Sequence, residues 1–544
     1  MQEELNKFIG FIQGYKMNWI LILCYVVAVQ AESEQEYFER RNMLLKVEKQ
    51  ERTGGDLVLT AQEQAVNKHL MQLKHQEIEK SRQLDDGTTF PPAMHFFRAK
   101  DLIEKSEVFK FVRSMPKGAV LHLHDTSMVS SDWVVKNVTY RDGLYMCDSK
   151  KDGFLLKFAT KPPSSSSDCQ WILVSKKRKQ MDPKVLDKYL EQKMTILVDD
   201  PAKEHANQSL VWMKFIEAFT AANGAICYDK VFIDYYKRAL LEFYEDNVQS
   251  LEIRTVFPEI YSLDGSKHDH LWFLSVLQNE TKTFAKSHPD FIGAKIINSI
   301  VRSLPSKDVL SSIKETVSLK KTFPDLMIGY DLVGQEDLGR PLSDDIASLL
   351  YPSQNNIDLK FFFHAGETDW EGEDVDTNIV DALLLNTSRI GHGYAIVKHP
   401  EAMRLARKNG VPIEVNPISN QVLGLVEDLR NHPAAPLLAS GFPLVVSADD
   451  PGLWGAKGVS YDWYEMFMGP GGSMADLATL KKLAMDSIKY SGLSKAEKIR
   501  AMQVWKGKWD NFIKTQLKQL QSTYSYGKRF VDRYNVVQPG HTLL

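Results

Sequence analysis

The sequence predicts an α/β fold, a (β/α)8 barrel of eight parallel strands. Short runs rich in Val, Ile, Leu and Phe recur from residue 118 onward, with helix-favouring stretches between them. Their hydrophobicity is continuous, which is typical of strands covered on both faces in a parallel sheet. Several runs end in polar clusters, at the strand ends where barrel enzymes build their sites. The predicted strands are residues 118–124, 248–255, 292–300, 326–334, 359–367, 388–394, 411–419 and 442–450.

The same pattern leaves a doubly wound open sheet as the alternative architecture. A chain of 544 residues is long for one average domain, but a barrel with insertions could occupy most of it. We assign the barrel to residues 113–134 and 189–520, and a C-terminal tail without an interpretable motif to residues 521–544.

The chain begins with a segment that has the features of a secretory signal. Trp19 to Val29 is an apolar stretch of about eleven residues, too short to span a bilayer. Val29-Gln30-Ala31 places small residues where a signal-peptide cleavage site requires them. We expect residues 1–31 to be the signal peptide of a secreted protein, with Met17 as an alternative start. A signal anchor is the other interpretation.

Residues 32–112 form a charged, helix-favouring arm before the barrel. The stretches 34–49 and 60–82 have the pattern of amphipathic helices. The arm has few apolar residues for its length, so we expect it to pack on a partner surface.

The first two predicted strands are separated by about 125 residues, far more than one helix requires. We infer an inserted subdomain at residues 135–188, too small to be stable without a crosslink. Cys147 and Cys169 flank a polar loop within it and are natural disulfide partners in an oxidising compartment. Cys227 is expected to be a buried free thiol.

Overall charge does not indicate an anionic partner. Lys and Arg total 67 against 70 Asp and Glu, so we expect neither nucleic-acid binding nor an anionic membrane as partner, and no membrane span in the mature chain. The run at residues 176–179 is a local basic exception, read as a solvated loop or as a glycosaminoglycan site. Four sequons permit glycosylation in a secreted protein: Asn137, Asn207, Asn279 and Asn386.

Four residues at predicted strand ends form a candidate metal site. His122 and His124 are two residues apart on a strand, so both project to the same side. His364 follows the strand at Phe361–Phe363, and Asp449 follows the last strand. Three imidazoles and one carboxylate suit one Zn²⁺ per subunit with an open position for water. Such a site activates water for attack on a carbon centre.

Three neighbours complete the chemistry. Glu367, three residues after His364, could protonate a substrate ring; its simpler reading is a helix N-terminal carboxylate. His392 lies between two glycines, where it could orient the attacking oxygen or take its proton. Asp450 is a second acid that the metal does not need, available to hold a substrate nitrogen. Asp449 taken alone would be a helix N-cap.

Five motifs give the sequence a family resemblance: MPKGAVLHLHDT, FFFHAGETDW, RIGHGYA, IEVNPISNQVLGLVEDLRNHP and SADDPGLWGAKGVSYDWYE. They resemble the adenosine deaminase growth factor family, the secreted adenosine deaminases. The resemblance extends from the arm to about residue 515. The order HLHDT is that of the secreted branch, whereas ordinary cytosolic adenosine deaminases carry His-x-His-x-Asp-Gly.

The resemblance implies a role for each matching residue. His122, His124, His364 and Asp449 correspond to zinc ligands, Glu367 to the proton donor and His392 to the general base. Asp450 and Gly334 correspond to purine contacts, Asp125 to a ribose contact and Trp212 to the start of a substrate-covering helix. Val301 stands where the family has a polar ribose contact.

The implied reaction is hydrolysis of adenosine, and of 2′-deoxyadenosine, to the inosine product and ammonia. The resemblance also implies that the arm forms a homodimer and that the insert binds a cell-surface receptor. Growth-factor activity is part of the family's description. Two rivals stay open: another metal-dependent amidohydrolase, such as an adenine or guanine deaminase, and a signalling ligand that keeps the barrel only as a scaffold.

Overall fold

A computed structural model describes residues 33–85, 89–165 and 168–535. The predicted signal peptide at residues 1–31 lies outside this range. Within the described residues, no helix is both long enough and apolar enough to cross a membrane.

Eight parallel strands form the centre of the molecule, and the predicted barrel is confirmed. Their bounds are Gly118–His124, Val248–Thr255, Gly293–Val301, Met327–Val333, Lys360–Phe361 continued by His364–Ala365, Ile390–His392, Ile413–Val415 and Leu444–Val446. The first five pair in sequence order, and so do the last four, with the fifth strand shared between the two sheets. Its first half pairs with the fourth strand and its second half with the sixth.

The barrel closes between the eighth and first strands. Leu123 forms a parallel bridge with Asp449, and the Asp449 N–H donates to the carbonyl of His122 at 3.0 Å. Every residue of the second and fourth strands is buried, including the charged side chains Glu252, Arg254 and Asp331, as expected of strands covered on both faces. The closing contact draws Asp449 toward the histidines of the first strand.

Helices cover the barrel and continue beyond its last strand. Those of six or more residues that follow the first strand in the described chain are Pro183–Met194, Gln208–Ile226, Asp229–Glu245, His270–Ser287, Ser306–Thr322, Asn378–Leu384, Pro400–Asn409, Pro417–Val422, Ala434–Ala439, Ser460–Met468, Leu477–Lys489 and Lys495–Asn535. The predicted helix at residues 210–220 lies inside Gln208–Ile226. Leu477–Lys489 packs on the first strand, where Ser487 Oγ accepts from the Ala119 N–H at 2.9 Å.

The arm contains the helices Glu34–Glu51, Ala61–Asp85, Phe96–Lys105 and Glu107–Ser114. Both helices expected from the sequence are present. Glu34–Glu51 belongs to a separate structural unit and has no buried residue. The other three belong to the unit that contains the barrel. Ala61–Asp85 buries Val66 and Leu70 in the main core, and its Glu63 accepts from Trp509 Nε1 at 2.7 Å.

Residues that follow the first strand form a small antiparallel sheet. Leu144–Ser149 is its central strand, flanked by Gly153–Phe158 and Ile172–Leu173. Cys147 and Cys169 form the expected disulfide, with their Cα atoms 5.6 Å apart. Cys227 is a buried free thiol, as predicted.

The insert sheet packs against the helix Gln208–Ile226. A Cβ at Gly224 of this helix would lie 2.2 Å from the Leu156 carbonyl oxygen, so only glycine allows the observed approach. Leu144, Met146 and Phe158 of the sheet are buried in the same core as the barrel helices. The insert therefore shares its apolar side with the rest of the protein.

Candidate metal centre and active site

The four residues predicted as metal ligands meet at the C-terminal mouth of the barrel. One ligand atom from each of His122, His124, His364 and Asp449 lies within 4.8 Å of the other three. Asp449 Oδ1 is 3.0 Å from His124 Nε2 and 3.3 Å from His122 Nε2. Asp449 has a φ of +59°, a backbone conformation that is costly for a residue other than glycine.

Two carboxylates fix the proton positions on the buried ligand histidines. His122 Nδ1 donates to Glu414 Oε2 at 2.7 Å, and His364 Nδ1 donates to Asp331 Oδ2 at 2.6 Å. Because a carboxylate can only accept, each ring carries a proton on Nδ1, and Nε2 is left to face a metal.

Two buried arginines hold these carboxylates in turn. Arg254 donates through Nε to Asp331 and through Nη2 to Glu414, both at 2.7 Å, and Arg389 Nε donates to Glu414 at 2.6 Å. Burial by itself would raise the pKa of Glu414, but Arg254 and Arg389 hold it well below its usual range. Glu414 and Asp331 are therefore charged acceptors, which increases the basicity of the histidines they bind.

The donor atoms at the centre fit a zinc ion. His122 Nε2 and Asp449 Oδ1 are buried without a hydrogen-bond partner among the described residues. Such an atom costs on the order of 1–3 kcal/mol unless something binds it. Three imidazole nitrogens and one carboxylate oxygen are a common zinc donor set, and the arrangement leaves room for a water ligand.

Glu367 lies beside this cluster as a buried acid. Burial raises its pKa well above the usual value, and the nearby charges of Asp449 and Glu336 raise it further. Its backbone N–H donates to Glu336 Oε2 at 2.6 Å, and the Gly366 N–H donates to Glu336 Oε1 at 3.0 Å. Glu336 thus fixes the turn that carries Glu367 and favours its protonated form.

His392 also lies beside the cluster, next to Glu367 and Asp449. Its Nε2 is 3.5 Å from Glu367 Oε1 and 3.5 Å from Asp449 Oδ2. Burial is the main reason that its pKa is well below the usual value, so the ring is neutral. Its Nδ1 lies 3.0 Å from Asn420 Nδ2.

A cavity of about 520 Å³ opens directly over the cluster. The helix Gln208–Ile226 forms one wall with Trp212, Phe215 and Phe219. The expected substrate residues all line the cavity: Asp125, Trp212, Gly334 and Asp450, with Val301 at the end of the third strand. Burial raises the pKa of Asp125 to about 6. Burial and the adjacent Asp449 charge raise that of Asp450 well above its usual range.

Sequence analysis missed the residues that support the metal ligands together with Glu367 and His392: Arg254, Asp331, Glu336, Arg389, Glu414, Asn416, Asn420 and His432. A signal for some of them is present in the sequence. Asp331 and Glu414 are single charged residues inside apolar strands, Arg254 shares its strand with Glu252, and a buried charge requires a partner. Nothing in the sequence indicates which strand supplies that partner.

Two family profiles match the chain: "Adenosine/AMP deaminase N-terminal" at residues 19–112 and "Adenosine deaminase" at residues 180–504. Human adenosine deaminase 2 is 48% identical over 477 residues, covering 87% of this chain and 93% of the human protein. The chain belongs to the adenosine deaminase family. An adenosine deaminase from Lutzomyia longipalpis is 40% identical and covers 91% of this chain and 95% of its own length.

Solved structures in this fold agree with the barrel assignment. Arabidopsis ADAL complexed with IMP has a TM-score of 0.54 at 16% identity, covering 74% of this chain and 99% of its own. An amidohydrolase from Burkhoderia ambifaria with bound Zn has a TM-score of 0.50 at 18% identity, covering 76% and 95%. This adenosine deaminase family member is thus a barrel enzyme with a metal-binding group at the mouth of its cavity.

Proposed function

We propose that the protein is a secreted, zinc-dependent deaminase that hydrolyses adenosine and 2′-deoxyadenosine to the inosine products and ammonia. The observation that carries this proposal is the convergence of four metal-ligand atoms, the protonated Glu367 and His392 on one cavity. The names of the relatives supply adenosine as the substrate. The solved amidohydrolase with bound Zn supports zinc as the metal.

His122, His124, His364 and Asp449 would hold the zinc ion, which would supply activated water as the nucleophile by lowering the pKa of that water to about 7. Glu367 donates its proton to N1 of the purine as the new C6–O bond forms. His392 contacts the attacking oxygen. The C6–N6 bond then breaks as N6 takes the proton of the new C6 hydroxyl, so ammonia leaves and the purine keeps the oxygen as the C6 carbonyl. The proton that the water gave up before the attack restores the protonated form of Glu367. Water and adenosine are thereby converted to inosine and ammonia with no other reactant.

Asp450 is assigned to the N7 edge of the purine, where N7 offers only a lone pair. Its raised pKa supports a protonated carboxyl that donates to N7. Ser127 Oγ donates to Asp450 Oδ1 and orients it. Gly334, whose φ is +97°, brings backbone to the purine, and Asp125 accepts from the ribose. Trp212 covers the bound nucleoside.

The direct test is purified protein with adenosine, followed by loss of the substrate's ultraviolet absorbance. A zinc chelator should abolish the change, and added zinc should restore it. Turnover of 2′-deoxyadenosine is measured in parallel, with adenine and guanine as alternative substrates. Full activity after verified metal removal, or preference for a free base, would contradict the proposal.

Secretion, glycosylation and cell-surface binding belong to the same proposal. Asn137, Asn207, Asn279 and Asn386 are all exposed, which supports their use as glycan acceptors. Asn207 also caps the helix Gln208–Ile226 through Oδ1, which leaves Nδ2 for a glycan. The insert at residues 135–188 is proposed to bind a receptor or a glycosaminoglycan, with growth-factor activity as a further role.

The basic run in the insert has a mixed environment. Lys176 and Lys179 are exposed, whereas Arg178 donates to Asp187 at 2.7 Å and lies 3.6 Å from the Tyr140 ring centroid. Sulfate binding is therefore assigned to the lysines. The arm at residues 32–112 is proposed to form the homodimer, and residues 113–134 with 189–520 form the catalytic domain.

A further inference from the structure

A chain of buried hydrogen bonds runs behind His392, away from the metal cluster. The Ala434 N–H lies 2.9 Å from His432 Nδ1, and His432 Nε2 lies 2.9 Å from Asn420 Oδ1. Asn420 Nδ2 then lies 3.0 Å from His392 Nδ1. His392, Asn420 and His432 are all at most 3% exposed, so solvent does not compete for these bonds.

The direction of every bond in this chain follows from its first member. A backbone N–H can only donate, so His432 Nδ1 accepts and the proton of its neutral ring is on Nε2. His432 Nε2–H therefore donates to Asn420 Oδ1. The Asn420 amide group is then turned with its NH₂ toward His392, whose Nδ1 must accept.

Burial lowers the pKa of His432 to about 3, so this ring carries a single proton at any pH at which the enzyme works. Neighbouring contacts hold it in place. Tyr394 packs edge-on against the His432 ring at 5.4 Å between centroids, and Tyr394 Oη donates to the Leu425 carbonyl at 2.8 Å. Asn416 Nδ2 is a second donor near His392 Nδ1, at 3.4 Å.

An imidazole ring whose Nδ1 accepts carries its proton on Nε2, and in His392 that nitrogen faces Glu367 and Asp449. We propose that Asn420 and His432 are positioning residues that hold His392 as an Nε2–H donor toward the attacking oxygen. His392 then orients the nucleophile and does not remove its proton, in contrast to the general-base role that the family resemblance implies. This inference rests on the proposed deaminase function.

Asn420→Asp tests the inference with almost no change in shape. A carboxylate can only accept, so it would accept from His432 Nε2–H and also from His392 Nδ1–H. The His392 proton would move to Nδ1, leaving a bare Nε2 toward the nucleophile. We expect kcat to fall by about 10²–10⁴-fold, with KM for adenosine within a few-fold.

Nitrogen NMR of histidine-labelled protein reads the proton position directly. In wild type, zinc-loaded and zinc-free, His392 should show a protonated Nε2 and a bare Nδ1; in Asn420→Asp the two should exchange. Comparison with His392→Asn assigns the signals. A wild-type ring protonated on Nδ1, or an Asn420→Asp variant with wild-type kcat, would overturn the inference.

Two further variants separate positioning from folding. His432→Gln keeps a donor to Asn420 and should retain most of kcat, whereas His432→Leu should lose it as Asn420→Asp does. Equal loss in both His432 variants would indicate a merely structural role and overturn the inference. Asn298→Asp is the matched control. Asn298 is buried in the third strand, its Nδ2 donates to Thr316 Oγ1 at 2.7 Å, and it takes no part in the hydrogen bonds behind His392.

The proposed function and the inference about His392 can be tested independently of each other. If wild type does not deaminate adenosine at all, the proposed function is wrong. The NMR measurement still decides which nitrogen of His392 carries the proton.

Discussion

Glu367 combines two properties that a carboxyl group rarely has together, full burial and two neighbouring negative charges. Both favour the protonated form, which is the form that can donate to N1 in the proposed reaction. Because the pKa is raised, the acid is ready below that pKa, and activity should fall as the pH rises through it.

Glu367→Gln should therefore keep the fold and the metal but lose turnover. Glutamine has the same shape and still fits against His392, but it has no acidic proton to donate. The expected loss in kcat is about 10²–10⁴-fold. Metal analysis and adenosine assays on the same preparation check this. Near wild-type kcat with zinc confirmed would remove Glu367 from the role of donor.

Glu414→Gln tests the support beneath His122. The change removes the charge shared by Arg254 and Arg389 and leaves both guanidinium groups buried without full compensation. We expect a loss of about 3–5 kcal/mol in the free energy of unfolding. Zinc affinity should fall by roughly 10–100-fold. Urea unfolding of zinc-free protein and metal titration measure the two effects; unchanged affinity would show that Glu414 serves the fold alone.

The ligands could be predicted because each stands at a strand end, where the pattern of apolar residues breaks. The charged residues that bind the ligand histidines could not be predicted. Asp331 and His364 are brought together by the pairing of adjacent strands, whereas His122 and Glu414 meet across the barrel interior. A linear pattern shows that Glu414 is isolated among apolar residues, but not what it contacts.

At the scale of elements, the insert and the helix Gln208–Ile226 act on each other through Gly224 and Leu156. The same helix lines the cavity with Trp212. Movement of the insert should therefore change substrate binding more than it changes the geometry of the metal cluster.

Cys147→Ser combined with Cys169→Ser tests this separation. The disulfide closes a loop of about 21 residues, which the chain-entropy model values at roughly 3 kcal/mol. The insert should become protease-sensitive, while kcat for adenosine stays within a few-fold. A change in KM larger than the change in kcat is expected. Loss of zinc from the double variant would contradict the division between insert and metal site.

Deletion of residues 33–51 tests the proposed dimer. A cut at Lys100 would also remove Val66, Leu70 and Phe96 from the main core, so the shorter deletion is the cleaner experiment. Tyr37, Phe38 and Leu44 of the helix Glu34–Glu51 are about half exposed, as expected of a face that a partner covers. Light scattering should report monomers that still deaminate adenosine. Dimers of the shortened chain would place the interface elsewhere.

The eight strands could be predicted to within a few residues because continuous apolar runs have few other uses in a soluble chain. Two features of the strands and the insert could not be predicted from the sequence. The fifth strand is divided at Phe362–Phe363, since its halves pair with different neighbours. The other is the close approach of the insert to Gly224, a contact that a linear pattern does not show.

At the scale of the whole molecule, buried acids link stability to pH. Burial raises the pKa of Glu465 well above its usual value, and Asp462 adds to the effect. Neither Glu465 oxygen has a hydrogen-bond partner among the described residues. A raised folded-state pKa contributes stability below the unfolded pKa, and this contribution is lost as the pH rises through the folded value.

Glu465→Gln should remove this dependence, because an amide does not ionise. The Tm of the variant relative to wild type should therefore increase between pH 5 and pH 8. Thermal unfolding across this range, with Asn298→Gln as a matched buried control, measures the trend. A Tm difference that is constant with pH would show that Glu465 has the same protonation state in the folded and the unfolded protein across this range, which would contradict a raised folded-state pKa.

Arg254 joins the two halves of the ligand set, because it binds both Asp331 beneath His364 and Glu414 beneath His122. The imidazoles of His122 and His364 are thus held at their angles by hydrogen bonds and ion pairs between protein groups. Small zinc domains in which the ion organises the chain unfold when it leaves. Here we expect the protein to stay folded when the zinc ion dissociates. The rate at which activity returns on adding zinc should therefore depend on the zinc concentration and not on the rate of refolding.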